Sequence, residues 1–127
     1  MKHLLGILTI ACALGVNAAS DIDPNVAMGA ISLDAEQKTQ FNVMMRRLNR
    51  GISEAIRKER IRNSGTMSAR NIEKRIKRKI KRLYRDLDET AKDIVREDQW
   101  DAYLAFKDAH HSDTNKQEFV PPQNREN

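Results

Sequence analysis

From residue 33 onward, apolar positions recur at threes and fours: Leu33, Phe41, Met44, Leu48, Ile52, Ala55 and Ile56. That period puts them on one side of an α-helix. At its start Asp34 offers a cap, Gln37 stands three residues on to reach back, and Glu36 adds negative charge to the first turn. Asn63-Ser64-Gly65-Thr66-Met67 interrupts the pattern, so the helix is expected to end near Asn63, with Gly65 in the left-handed exit conformation. Ser68 is the next cap, and Met67 and Ile72 stand at hydrophobic-staple positions. A second apolar set follows in steps of three and four: Ala69, Ile72, Ile76, Ile80, Leu83, Leu87, Ala91 and Ile94. It occupies a single stripe about 100° wide. No Gly or Pro occurs from residue 69 to 119, so this helix is expected to run on to about His110, kinked near Arg96-Glu97-Asp98. The short turn between the two helices predicts an antiparallel pair.

The ends have a different character. Lys2 is followed by an apolar run, Leu4 to Val16, too short to span a bilayer, and then by the small residues Ala18-Ala19-Ser20. Residues 1–19 are therefore expected to be a secretory signal cut near Ala18-Ala19, delivering the protein to the periplasm. The only cysteine, Cys12, lies inside this segment. A lipoprotein site there would want Leu where Thr9 stands, so lipidation is disfavoured and the remaining chain has no thiol to form a disulfide. Residues 20–31 lack a period and carry Pro24 and Gly29, the marks of a flexible arm. The helical domain is expected over residues 32–111 and a polar, disordered tail with Pro121-Pro122 over residues 112–127.

Charge then changes the picture. The whole chain carries +5, but residues 44–85 hold sixteen lysines and arginines against three acids, Glu54, Glu59 and Glu73. Residues 86–127 invert the balance, with eleven acids against five bases. Arg46, Arg47, Arg50, Arg57, Lys58, Lys74, Arg78 and Arg82 are the candidate basic surface, for acidic or unfolded protein clients or for an anionic membrane surface. A merely solvated face is the alternative for such a run. Nucleic acid suits the charge, but export and the lone stacking ring, Tyr84, argue against it. Large apolar groups are scarce, and narrow stripes leave surface uncovered, so two copies are expected to pair as a homodimer.

Met44 and Met45 are assigned to the core, with an adaptable client surface beside Arg46-Arg47 as the alternative. His110 and His111, near Asp108 and Asp113, are weak metal candidates: neighbours on a helix face different ways, and no second group completes a tetrahedral set. No metal or other cofactor is expected. No nucleophile with a base, phosphate loop or carboxylate pair points to catalysis, so the protein is not expected to be an enzyme.

Leu33-Asp34-Ala35-Glu36-Gln37 resembles the Leu-Thr-x-x-Gln signature of the periplasmic Spy and CpxP family, with Asp34 in the Thr position. A looser copy is Val95-Arg96-Glu97-Asp98-Gln99, followed by Trp100 and Tyr103. Arg96 stands where the second Thr would cap, which favours a motif inside a continuous helix. The resemblance spans residues 32 to 106 and marks Leu33, Asp34, Gln37 and Gln99 as motif residues. It implies an all-α fold: a long antiparallel helical hairpin with a C-terminal helical extension, paired as a cradle-like homodimer. It also implies an ATP-independent chaperone or envelope-stress protein that binds unfolded clients. The alternatives are an accessory regulator or metal-sensing partner of an envelope sensor protein, and a binder of anionic membrane surface or polymer.

Overall fold

The computed structural model describes residues 22–63 and 65–120, and their regular structure is entirely helical. Helix α1 spans Pro24–Ile31, α2 Ala35–Asn63 and α3 Ala69–Ala91; a 3-10 turn, Glu97–Gln99, leads into α4, Trp100–Asn115. The expected signal segment, with Cys12 and its cleavage site, and Pro121-Pro122 lie outside the described residues.

The ends of α2 and α3 follow local rules. Asp34 Oδ1 accepts the Gln37 N–H at 2.8 Å and Gln37 Oε1 accepts the Asp34 N–H at 3.0 Å, a reciprocal capping box. At the other end Gly65 takes φ 82°, and the Asn63 carbonyl accepts the N–H groups of Thr66 and Met67 at 3.1 Å. Ser68 Oγ then accepts the Asn71 N–H at 3.2 Å to open α3.

Three expectations are corrected. Residues 20–31 are not all a flexible arm: α1 starts on Asp23, whose Oδ1 accepts the Asn25 N–H at 2.8 Å, and Pro24 fills the first turn, where its missing N–H costs nothing. Ala27 and Ile31, one turn apart, are buried. The second helix does not continue to His110. It stops at Ala91, the N–H groups of Asp93, Ile94 and Val95 bond back to Thr90 and Ala91, and a new helix starts after the 3-10 turn. Residues 112–120 are not part of a disordered tail, since α4 runs to Asn115, and Phe119 and Val120 are buried.

The described residues divide into two compact units, one of residues 22–32 with 97–114, the other of residues 33–96 with 115–120. In the first, Ala27, Ile31, Tyr103, Phe106 and Ala109 are buried. In the second, α2 packs along α3, burying Phe41, Met44, Met45, Leu48 and Ile52 of one and Ile72, Ile76, Ile80, Tyr84 and Leu87 of the other. Glu59 meets Arg75 and Lys79, Gly51 faces Leu83, and Gln37 bonds Ile94, so residue numbers on one helix fall as those on the other rise.

Candidate functional site

All eight residues of the candidate basic surface are exposed. On α2, at about 100° per residue, Arg46, Arg47, Arg50, Arg57 and Lys58 fall within about 120° of arc, across the helix from the buried stripe of Phe41, Met44, Leu48 and Ile52. On α3, Lys74, Arg78 and Arg82 follow one another every fourth residue and face away from Ile72, Ile76 and Ile80. The fold therefore presents two basic faces, one per helix, each turned from the shared apolar seam. Among the exposed eight, Lys58 lies 3.8 Å from Glu54, an exposed i,i+4 pair of small energetic weight.

A group the sequence reading passed over as a plain acid sits between those faces. Glu59 is 0% exposed and lies on the apolar stripe of α2, seven residues after Ile52. Its Oε1 accepts from Arg75 Nε at 2.8 Å and from Asn63 Nδ2 at 2.7 Å, while the Lys79 ammonium sits against Oε2. Asn63 Nδ2 also donates to the Glu59 carbonyl at 3.1 Å. Hydrogen bonds from Arg75 and then Lys79 hold the Glu59 carboxyl at about 2, well below its ordinary 4.5, although burial pushes the other way. Arg75 and Lys79 come from α3, so this cluster fixes the register of the two helices near their turn. The sequence holds only half of the signal, an acid in register with the apolar stripe seven residues beyond Ile52; the two bases opposite it come from the fold.

The motif residues also have distinct tasks. Leu33 is half-buried and Asp34 is the exposed cap of α2. Gln37, whose Oε1 serves that cap, donates its Nε2 to the Ile94 carbonyl at 2.9 Å. Gln99 is buried, and its Nε2 donates to the Ile31 and Ser32 carbonyls at 3.2 Å each. Each glutamine thus bonds the carbonyl just ahead of the other's five-residue motif. In a continuous helix the Ile94 carbonyl would accept from residue 98; here it accepts from Gln37, and the second motif opens a helix rather than lying inside one.

The remaining candidates separate. Tyr84 is buried and offers no stacking face, and Met44 and Met45 are both core. The His110 ring packs against Phe106, with centroids 5.6 Å apart, and burial lowers its pKa against the raising effect of Asp113. Among the described residues no group of three or more His, Cys, Asp or Glu is placed to hold a metal ion. No protein-family model, curated protein or solved structure matches the chain.

Proposed function

We propose that this is an exported, ATP-independent chaperone or envelope-stress protein whose two basic helical faces capture acidic segments of unfolded clients. The observation that carries this reading is the exposure of Arg46, Arg47, Arg50, Arg57, Lys58, Lys74, Arg78 and Arg82, while Glu59, an acid one turn from the end of α2, is buried and spent on Arg75 and Lys79. Such faces attract negative chains over a Debye length of about 10 Å and release them without nucleotide, because each exposed ion pair is worth only about 0–1 kcal/mol. In this reading α2 and α3 form an antiparallel hairpin extended by α4, and two copies pair. The opposed numbering of the α2–α3 contacts supports the hairpin, and the narrow buried stripe on each helix supports the pairing.

Light scattering from an aggregating unfolded client, without ATP, tests the proposal. Aggregation is expected to fall in the presence of the protein at low salt and to recover at high salt. Aggregation unaffected at any protein ratio contradicts the proposal.

A further inference from the structure

Helix α2 carries an apolar side chain that neither the core nor the capture of clients accounts for. Ile61 is 67% exposed, two residues before α2 ends. On the helical wheel it lies between Arg57 and Lys58, and with Ser53, Ile56, Arg57 and Arg60 it lines an open groove. Arg60, Arg62 and, at the start of α3, Arg70 are also exposed around this tip. Of the acids near this tip, Glu59 is turned inward and neutralised, Glu54 is one turn back beside Lys58, and Glu73 is half-buried on α3.

We propose that this tip docks peripherally on anionic lipid headgroups, with Ile61 as a shallow apolar anchor and Arg57, Lys58, Arg60 and Arg62 on the phosphates. A basic helix surface with a small apolar stripe is the arrangement that lies in a headgroup layer. A planar anionic surface meets Arg57 and Lys58, within about 60° of Ile61, directly and is within reach of the long Arg60 and Arg62 side chains at about 100° to either side, whereas an acidic peptide must lose chain entropy to follow them and finds only two isoleucines to grip. The attachment is to the surface, since among the described residues no helix is long and apolar enough to cross a membrane.

The test is co-sedimentation of the protein as it accumulates in cells, its N-terminus read from intact mass, with phosphatidylcholine vesicles and with vesicles that also contain phosphatidylglycerol. Binding is expected on the anionic vesicles alone. At about fivefold per basic side chain, the triple variant R57Q/R60Q/R62Q should bind roughly a hundredfold more weakly. Ile61→Ser should lose about fivefold with helicity unchanged. A control with the same charge loss away from the tip, R46Q/R47Q/R82Q, should lose far less. Equal losses in the two triple variants, equal binding to both vesicle types, or binding indifferent to Ile61→Ser would overturn the docking site. Suppression of client aggregation without vesicle binding overturns it too while leaving the chaperone reading intact; vesicle binding without suppression does the reverse.

Discussion

Gln37 shows how one side chain can serve two elements. A glutamate would cap α2 equally well, because the cap needs only an oxygen, but the bond to the Ile94 carbonyl needs an N–H. Gln37→Glu should therefore destabilise the protein by about 2 kcal/mol at neutral pH, with a buried carboxylate set against a carbonyl. That deficit should shrink as pH falls towards about 4.3, because the unfavourable setting raises the folded pKa of the new carboxyl above that value and, once protonated, it can donate. Urea titrations at two pH values check both parts. Glu59 carries the opposite sign. Its folded pKa is depressed, so its contribution is present above 4.5 and is lost as pH falls from 4.5 towards 2. Glu59→Gln should cost about 2–4 kcal/mol at pH 7 and flatten stability against pH across that window, as seen by thermal melts. Asp34 and Gln37 were legible because capping is written in local spacing. Glu59 was not, because its burial depends on which α3 residues arrive opposite.

At the scale of elements, α2 was readable from end to end and α3 at its start, since their caps, their turn glycine and their apolar period are all local. Helix α1 was written too, in Asp23-Pro24, but Gly29 and the shortness of the run obscured it. The break after Ala91 had no local marker. Just beyond it the Ile94 carbonyl accepts from Gln37, 57 residues away, a contact that no local spacing announces. Gly51 tests how tightly α2 and α3 pack. A Cβ there would meet the Leu83 methyls at 3.4 Å, an ordinary contact, so the glycine is not required for close approach. Gly51→Ala should raise stability by about 0.5–1 kcal/mol through helix propensity, measurable as a higher midpoint in urea.

For the whole molecule, charge segregation was plain in the sequence, but its division into two outward faces was not, because that needed the position of the buried stripe on each helix. Part of the fold's acid response belongs to the first unit. Burial lowers the His110 pKa below its ordinary 6.5, so stability held above that value should decline as pH falls through it. His110→Phe, which keeps the contact with Phe106, should remove that slope. The central claim concerns the basic faces, and the most direct measurement is the affinity for a fluorescent, unfolded acidic client across a salt series. The wild-type protein should bind at low salt and weaken steeply as salt rises. The R46Q/R47Q/R78Q/R82Q variant should bind at least about tenfold more weakly, with a flatter salt response and unchanged helicity. Affinity unchanged by those four substitutions, or no binding at any salt, would contradict it.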